Sequence, residues 1–282
     1  MASQIALPEA ARALDAQSRH IDTPCGRATM RWRVWGEGSD KSPPLLLLHG
    51  GSGSWMHWIR TIPAFAQERM VIAPDTPGLG QSARTAHPDD LASYAQAIAE
   101  GLPLVLGAPS AIDIAAFSFG SIVTGALLSI PSVEIGRLVL VGPAALGVSK
   151  LDRDLVPVRH LHGEERRRAN AENLAILMFA DPARIDEASI DIQDWHTRHA
   201  RTNSPKFART TSLRDALLAW GRPFGAITGE KDAPSQPPLV GPVLRAIYPA
   251  IDYRILPGIG HWCMYEAADA FNAALKEQFA RL

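Results

Sequence analysis

A short apolar run that passes through a serine into a helical pattern constrains the fold of this chain most. The run is Ala111–Ala116, and the helical pattern that follows is Ser121–Leu128. Ser118 lies at the junction, between the small residues Ala116 and Gly120. This order predicts a strand followed at once by a helix, with a sharp turn that lifts the serine hydroxyl clear of the backbone. Such a turn is a nucleophile elbow.

The usual elbow pattern is Gly-x-Ser-x-Gly, and Ala116 stands where its first glycine would be. Alanine is the smallest replacement for glycine, so we interpret the sequence as a variant of the elbow. A strand-helix turn without any chemistry has the same pattern. The residues at other strand ends must therefore decide between the two interpretations.

Strand and helix patterns alternate along most of the chain. Leu45–Leu48 is apolar at every position, which is typical of a strand covered on both faces of a parallel sheet. Helical patterns and charged runs replace the alternation between Pro143 and Arg214, and the alternation then resumes. We expect a mostly parallel sheet with helices on both faces and an inserted helical segment. Further predicted elements are a hairpin at Arg19–Thr23 and Ala28–Trp35, strands at Arg69–Pro74, Arg137–Gly142, Arg222–Gly229 and Ile251–Leu256, and helices at Trp55–Glu68, Pro88–Gly101, Pro237–Tyr248 and Ala267–Arg281. Met1–Gln17 is expected to form a short surface helix or a loose leader.

Composition narrows the class of partner. The 282 residues include 28 basic and 29 acidic side chains, for a net charge of -1. This balance gives no attraction for nucleic acid or an anionic membrane, so we expect a small-molecule partner. The N-terminus has no continuous apolar stretch typical of a signal peptide, and no apolar run reaches the roughly 18 residues of a membrane span. Two cysteines do not indicate a disulfide framework. We therefore expect a soluble, cytoplasmic protein without a cofactor.

Polar residues follow several of the predicted strands. In open α/β sheets, ligands bind beyond the carboxyl ends of the strands. The residues predicted there are the loop 49–54, Asp75, Ser118, Asp232 and His261. Asp232 and His261 are 29 positions apart, which leaves room for one helix and one strand between them.

In these features the chain resembles the α/β-hydrolase superfamily over about residues 20–282. The resemblance rests on four matches in the expected order: His49-Gly50-Gly51, Asp75-x-Pro77-Gly78-x-Gly80-x-Ser82, the elbow at Ser118, and Gly260-His261-Trp262. It implies the α/β-hydrolase fold, with a core formed by residues 1–142 and 215–282. The helical segment 143–214 would then be the cap over the site.

The resemblance also implies roles for the residues of the site. Ser118 would be the nucleophile, His261 its general base, and Asp232 the carboxylate that orients the imidazole. The backbone amides of Gly51 and Phe119 would form the oxyanion hole, with Ser52 as the alternative to Gly51. Asp75 is better interpreted as a turn residue, and two other carboxylates compete less well for the acid role, Glu230 and Asp252.

The cap is expected to supply an apolar pocket. Its candidate lining residues are Leu177, Met178, Phe179 and Trp195, and the core would add Ser52, Phe117 and Trp262. We interpret the basic run Arg166–Arg168 as a solvated helix face. The i, i+3 pair His196 and His199 has the spacing of metal ligands, but no third ligand is evident, so no metal site is predicted.

Serine at the elbow argues against the haloalkane dehalogenases and epoxide hydrolases, which carry aspartate there. The reaction favoured is hydrolysis of a small, mainly apolar carboxylic ester or related acyl compound through an acyl-enzyme. The alternative is a C–C bond hydrolase of a ring-fission dienone acid, because Gly260–Asn272 is similar to the C-terminal segment of that group. That group usually has asparagine before the serine, whereas this chain has Phe117. A third hypothesis is a non-catalytic receptor that uses the same fold to bind a ligand.

Overall fold

One twisted sheet organises the part of the chain that the computed structural model describes, which is residues 6–38, 42–108, 110–148 and 154–282. Within these ranges the sheet has eight strands in the order β1-β2-β4-β3-β5-β6-β7-β8. The strands are β1 (Arg19–Cys25), β2 (Ala28–Trp35), β3 (Leu45–Leu48), β4 (Val71–Pro74), β5 (Ile112–Phe117), β6 (Ile135–Val141), β7 (Gly225–Gly229) and β8 (Asp252–Leu256). The α-helices are α1 (Glu9–Ala16), α2 (Ile62–Ala66), α3 (Leu91–Leu106), α4 (Phe119–Leu127), α5 (Gly163–Leu177), α6 (Glu187–His199), α7 (Ser212–Trp220), α8 (Pro237–Ile247), α9 (Cys263–Glu266) and α10 (Ala268–Arg281).

The predicted hairpin is confirmed: β1 pairs antiparallel with β2, and Gly26 occupies the turn with φ +57°. Strand β2 also pairs antiparallel with β4, and the pairs from β4 to β8 are parallel. Because parallel strands all end at the same edge, the loops after β3, β5, β6, β7 and β8 meet there. This shared edge positions the candidate site.

Strand β3 shows why the sheet needs apolar residues at consecutive positions. All four of its leucines are fully buried. Leu46 and Leu48 pack into the apolar cluster on one face of the sheet, and Leu45 and Leu47 pack into the cluster on the other face. Successive side chains of a strand point to opposite faces, so a strand covered on both sides loses its polar alternation. Each buried leucine contributes about 1.5–3 kcal/mol relative to an exposed one.

The single long helix predicted at Trp55–Glu68 was wrong. A short 3-10 helix at Trp55–Trp58 is followed by α2, which has Pro63 in its first turn. The Ser54 hydroxyl accepts a hydrogen bond from the Met56 amide and starts the first segment. Proline has no N–H to donate, so it is favourable at a helix start and unfavourable in the interior. The chain therefore begins a new helix here.

Helix α3 begins later and ends later than predicted. The Asp90 carboxylate accepts a hydrogen bond from the Ala92 amide, so the helix begins after Asp90 and not at Pro88. It ends at Gly107, which has φ +76°. Strands β2 and β3 have the predicted bounds, and the elbow and the remaining predicted strands and helices of the sheet region differ from the observed ones by at most three residues. Of the predicted N-terminal helix, residues 1–5 lie outside the described ranges, and the described part forms α1.

Helices α5, α6 and α7 lie in the segment between β6 and β7. The predicted boundary between residues 214 and 215 falls inside α7, which packs against α4. The interpretation of Arg166 as a solvated residue was wrong, since its side chain is buried and donates to Asp194. No helix in the described part of the chain is long and apolar enough to span a membrane. The division into core and cap stays a prediction.

Candidate active site

The turn between β5 and α4 consists of Ser118 alone. Its backbone has φ 50° and ψ -110°. A non-glycine residue in this sparsely populated region costs on the order of 1–3 kcal/mol. Three hydrogen bonds hold the turn. The Ser118 amide donates to the Val141 carbonyl at 2.9 Å, and the Ser118 carbonyl accepts from the Ser121 hydroxyl at 2.5 Å and from the Ser121 amide at 3.0 Å. The fold thus imposes a strained conformation on the candidate nucleophile.

The small residues on either side of Ser118 have different structural roles. A methyl group placed on Gly120 would come within 2.4 Å of the Leu48 carbonyl oxygen, so only glycine lets α4 approach β3 this closely. Ala116 lies within β5 and is not among the described residues with positive φ. Its Cβ therefore meets no backbone penalty. This explains why the first glycine of the usual pattern is replaceable by alanine here.

A buried histidine–carboxylate pair lies at the ends of β7 and β8. His261 Nδ1 is 2.8 Å from Asp232 Oδ2, and both residues are less than 5% exposed. The other oxygen of the carboxylate accepts a hydrogen bond from the Ser235 amide at 2.6 Å. A carboxylate that accepts the Nδ1–H proton leaves Nε2 of a neutral imidazole unprotonated. The pair therefore presents a base at Nε2.

The competing carboxylates have other contacts. Glu230 is exposed and accepts a hydrogen bond from the Gly258 amide. Asp252 is on β8 and pairs with Arg254. Asp75 accepts hydrogen bonds from the amides of Trp55 and Gln81, which are the contacts of a residue that stabilises a turn. Asp232 is the carboxylate that contacts the His261 ring.

Gly142, at the end of β6, lies against this pair and was missed by the sequence reasoning. It has φ +49°, and a methyl group placed on it would be 2.8 Å from Cε1 of His261 and 3.0 Å from Oδ2 of Asp232. The only sequence signal was a glycine at the end of a predicted strand. That signal does not reveal which side chain passes over the glycine.

The loop after β3 brings Gly51 close to Phe119. A methyl group placed on Gly51 would lie 3.7 Å from the Phe119 Cβ and 2.4 Å from the Ser204 hydroxyl oxygen. The Phe119 amide belongs to the first turn of α4, where N–H groups lack intrahelical partners. Ser52, the next residue of the loop, has φ 49°. Gly51 and Phe119, whose amides are the predicted oxyanion-hole donors, therefore line the same cavity as Ser118.

A cavity of about 640 Å³ lies over the elbow. Its lining includes Ser118, His261 and the residues Gly51 and Ser52 of the loop after β3. Ser52, Phe117, Leu177 and Met178 line it as expected. Further apolar lining comes from the inserted segment and its flanks: Ala144, Leu155, Val156, Pro157, Val158, Ala200, Pro205 and Ala208.

Phe179, Trp195 and Trp262 do not line this cavity, which corrects three of the predicted pocket residues. Trp262 is fully buried and donates its indole N–H to the His57 carbonyl at 2.8 Å. Phe179 packs edge-on against the Trp262 ring, and the Trp195 ring stacks on His199. Phe179 and Trp262 thus join the inserted segment to the core, whereas the stack of Trp195 on His199 lies within α6. Apolar character alone cannot distinguish a residue at such a joint from one that lines a pocket.

Polar groups of the cavity were also missed. They are His57, Arg159, Asn173, Gln193, Thr197, Ser204 and Arg209. His57 follows the glycine-rich loop, but the sequence reveals no partner for its side chain and favours a surface or core role. The others lie in the inserted segment, where the sequence has no motif that marks a pocket residue.

Glu266 connects the loop of His261 to the inserted segment. Its buried carboxylate accepts hydrogen bonds from the amides of Gly260 at 2.6 Å, Ala180 at 3.0 Å and Asp181 at 3.0 Å. Hydrogen bonds to a charged acceptor contribute about 1.5–3 kcal/mol each. Glu266 therefore fixes the position of the backbone one residue before the candidate base.

Three histidines are buried behind the loop after β3. His49 bridges two loops, since Nδ1 contacts the Gly50 carbonyl and Nε2 accepts from the Thr76 amide. Burial lowers the pKa of His49 and lowers the pKa of His57 and His196 well below the usual value. All three side chains are therefore neutral near pH 7.

The histidines with the spacing of metal ligands make other contacts. His196 Nε2 is 2.8 Å from the Ser54 hydroxyl, and His199 Nδ1 contacts the Trp195 carbonyl. Among the residues described, no group of three or more His, Cys, Asp or Glu side chains is arranged to hold a metal ion.

The curated proteins to which the chain is similar include bacterial enzymes. It is 27% identical over 271 residues to the dihydrolipoyllysine-residue acetyltransferase component of the acetoin cleaving system of Pseudomonas putida, covering 88% of this chain and 65% of that protein. The chain thus spans less than two thirds of that relative. It is 25% identical over 242 residues to the 2-hydroxy-6-oxo-6-phenylhexa-2,4-dienoate hydrolase of Burkholderia cepacia, covering 81% of this chain and 84% of that protein.

Solved structures share the fold. An esterase from Rhodococcus sp. ECU1013 superposes with a TM-score of 0.76 at 20% identity, covering 93% of this chain and 98% of that one. A meta-cleavage product hydrolase from Pseudomonas fluorescens IP01 gives a TM-score of 0.67 at 23% identity, covering 93% and 97%. At these identities the likeness shows the fold alone.

The family profile described as the alpha/beta hydrolase family matches residues 45–274. This range includes the elbow, the loop after β3 and the histidine–carboxylate pair. The eight-stranded, mostly parallel sheet of the described residues agrees with that match. The predicted fold class is thereby confirmed, and hydrolase activity is supported by the family and the relatives. The chain belongs to the alpha/beta hydrolase family.

Proposed function

We propose that this protein hydrolyses small, mainly apolar carboxylic esters or related acyl compounds through a covalent acyl-enzyme. The observation that carries the proposal is one cavity whose wall contains Ser118, His261 and the two candidate oxyanion donors. His261 contacts a buried carboxylate, Asp232. These are the groups that acyl transfer requires: a nucleophile, a base and a site for the developing negative charge.

In the first half of the reaction, Ser118 Oγ attacks the ester carbonyl carbon while His261 Nε2 takes the hydroxyl proton. The carbonyl oxygen becomes an oxyanion, and the amides of Gly51 and Phe119 would stabilise it. Losing one such donor typically costs about 3–4 kcal/mol of transition-state stabilisation. The tetrahedral intermediate then expels the alcohol, which receives the proton from His261. Asp232 stabilises the imidazolium ion in this step and holds its tautomer.

In the second half, His261 takes a proton from a water molecule, and the resulting hydroxide attacks the acyl-enzyme carbonyl. Collapse of the second intermediate returns the proton to Ser118 and releases the carboxylic acid. The apolar lining favours a substrate whose acyl group is largely hydrocarbon, because burial contributes about 25 cal/mol per Å² of apolar surface. A volume of about 640 Å³ is within the range of small-molecule sites.

A second candidate is a C–C bond hydrolase. It is favoured by the curated relatives of Burkholderia cepacia and Comamonas testosteroni, which are named as hydrolases of hydroxy-oxo-dienoates. Arg159 and Arg209 line the cavity and would complement a carboxylate of such a substrate. Phe117 remains the argument against it, since it occupies the position before the nucleophile with an apolar ring.

The experiment is a rate comparison with purified protein. We expect p-nitrophenyl acetate and butyrate to be hydrolysed and a fluorophosphonate to label Ser118. A ring-fission dienone consumed faster than either ester would favour the C–C hydrolase instead. Absence of both turnover and labelling would reject both enzymes and leave the non-catalytic receptor.

A further inference from the structure

His57 lies under the loop that carries Gly51 and is a wall residue of the cavity. Its Nδ1 accepts a hydrogen bond from the Gly50 amide at 3.2 Å. A nitrogen that accepts from a backbone N–H is unprotonated, so the proton of the neutral ring is on Nε2. The structure thus fixes the tautomer of His57 without any ionised partner.

The Nε2–H group of His57 has no hydrogen-bond partner among the described residues. Some polar atoms without a partner are fully enclosed by protein, such as Nδ1 of His196, but Nε2 of His57 is not one of them. Nε2 must therefore face open space, although the residue as a whole is only 2% exposed. The open space next to this residue is the cavity over Ser118.

Aromatic contacts fix the direction of the ring. Phe117, Trp262 and His196 pack edge-on against it, with ring centroids 5.3, 5.2 and 4.7 Å away. A methyl group on Gly53 would overlap the His57 ring at 2.1 Å, so the loop closes the remaining side. A side chain enclosed in this way cannot turn its donor elsewhere. An acceptor on a ligand in the cavity could therefore pair with this donor.

We propose that His57 is a positioning residue whose Nε2–H donates a hydrogen bond to an acceptor oxygen within the acyl group of the substrate. The preferred substrates would then be esters of oxo acids, in which a ketone oxygen is separated from the scissile carbonyl by a short hydrocarbon spacer. This inference rests on the proposed ester hydrolysis and narrows its substrate class. A site that supplies such a donor discriminates against the analogue that lacks the acceptor.

Paired substrates test this proposal. The pairs are p-nitrophenyl 4-oxopentanoate with pentanoate, and 5-oxohexanoate with hexanoate, each rate divided by the hydroxide rate of the same ester. We expect wild-type kcat/KM to favour an oxo ester of at least one pair by about 3- to 10-fold, the range of one neutral hydrogen bond. His57→Phe should reduce this preference to about 1. His57→Gln, which keeps a donor, should restore part of it.

The ratio within a pair separates positioning from a general structural effect. Loss of the Gly50 contact in His57→Phe would disturb the loop for both esters equally and cancel in the ratio. His196→Gln is the matched control, since His196 is buried against His57 but does not line the cavity, and the preference should persist in it. If the preference survives in His57→Phe, or is absent from wild-type protein that hydrolyses the plain esters, the proposal is wrong while the esterase function stands.

No turnover of any ester, with no fluorophosphonate labelling, would overturn the esterase function and this proposal together. If His57→Phe does not fold, NMR of Ser118→Ala protein replaces it. We expect the Hε2 resonance of His57 to move downfield when methyl 4-oxopentanoate or methyl 5-oxohexanoate is added, and not with the matching plain ester. An unmoved resonance at saturating concentrations of both oxo esters would overturn the proposal.

Discussion

Gly142 lies directly against the imidazole of His261, with room for a hydrogen atom but not for a methyl group. The methyl carbon would be 2.8 Å from Cε1 of the ring, inside van der Waals contact. The position of the candidate base is therefore set from three sides: by Asp232 at its Nδ1, by Gly142 at its Cε1, and by Phe117, whose ring centroid is 4.7 Å away.

Gly142→Ala should lower kcat/KM for p-nitrophenyl butyrate by about 100-fold, because even a displacement of about 1 Å in a catalytic group is costly. Gly107→Ala is the matched control: Gly107 also has positive φ, but no atom lies within 4 Å of the added methyl group. Both variants should lose about 1–2 kcal/mol of unfolding free energy from backbone strain. If both show equal activity, the contact with His261 has no consequence for catalysis.

Ser118→Ala should reduce kcat by at least about 10³-fold and abolish fluorophosphonate labelling, because the nucleophile is removed. Stability should not fall, since the Ser118 hydroxyl is not among the groups that hold the turn. The rate of p-nitrophenyl butyrate hydrolysis measures the loss of kcat, and urea unfolding measures the stability. Ser129→Ala, on the exposed end of the same region, should retain wild-type activity. Substantial turnover by Ser118→Ala would mean that another group is the nucleophile.

Asp232→Asn should lower kcat by about 10³- to 10⁴-fold, because an amide that donates to Nδ1 stabilises the wrong imidazole tautomer. The measurement is kcat for p-nitrophenyl butyrate in a folded variant, checked by circular dichroism. Glu230→Gln serves as the control, since this exposed carboxylate lies two residues away and contacts only the Gly258 amide among the described groups. Equal effects of the two substitutions would contradict the assignment of Asp232.

Glu266→Ala should lower the free energy of unfolding by about 3 kcal/mol or more, since three buried amides lose a charged acceptor. We also expect kcat to fall, because the loop one residue before His261 loses its anchor. Urea unfolding and ester hydrolysis measure the two effects. Glu266→Gln keeps an acceptor oxygen and should be milder in both. A Glu266→Ala protein of wild-type stability would show that water replaces the carboxylate without loss.

The buried histidines predict a loss of stability in mild acid. Burial depresses the pKa of His49, His57 and His196 in the folded protein. Below about pH 6.5 the unfolded chain binds protons that the folded protein does not, so the free energy of unfolding falls as pH falls. These three groups give at most about 4 kcal/mol per pH unit, and His199, whose pKa is also lowered by burial, adds at most about 1.4 kcal/mol per pH unit.

Urea unfolding at pH 7.5, 6.0 and 5.5 measures this slope. Carboxylates with depressed pKa, such as Asp186 and Asp194, lose their contribution only at lower pH and do not interfere in this window. His196→Gln should reduce the slope by up to about 1.4 kcal/mol per pH unit, the contribution of one proton. A stability that stays constant from pH 7.5 to 5.5 would rule out this linkage.

The order of strands and helices and the placement of Ser118 were predictable because they depend on local patterns. The four residues Leu45–Leu48 are enough to predict a strand that is buried on both faces of the sheet. The change from strand to helix around Ser118 can be recognised within about ten residues. The line of polar residues at strand ends followed from the general geometry of parallel sheets. Local signals of this kind need no knowledge of what lies opposite.

The residues that line the pocket, by contrast, could not be predicted from local patterns. Phe179, Trp195 and Trp262 have the composition of pocket residues, but Phe179 and Trp262 pack together at the joint between the inserted segment and the core, and Trp195 stacks on His199 within α6. His57 and Ser204 line the cavity instead. Apolar residues at a joint and at a pocket wall satisfy the same burial requirement, so the sequence cannot separate them. Which surface meets which depends on how the inserted segment packs across the sheet edge.

The sequence by itself determined the fold class and an ordered set of serine, aspartate and histidine at strand ends, because hydrophobic periodicity and turn chemistry act over a few residues. Only the tertiary structure decided that Asp232 contacts His261, that Gly142 supports the imidazole, and that Glu266 anchors its loop. Asp232 and His261 are 29 positions apart in the sequence, and Gly142 and His261 are 119 positions apart. Long-range packing over the sheet edge is what brings them within a few ångströms of one another.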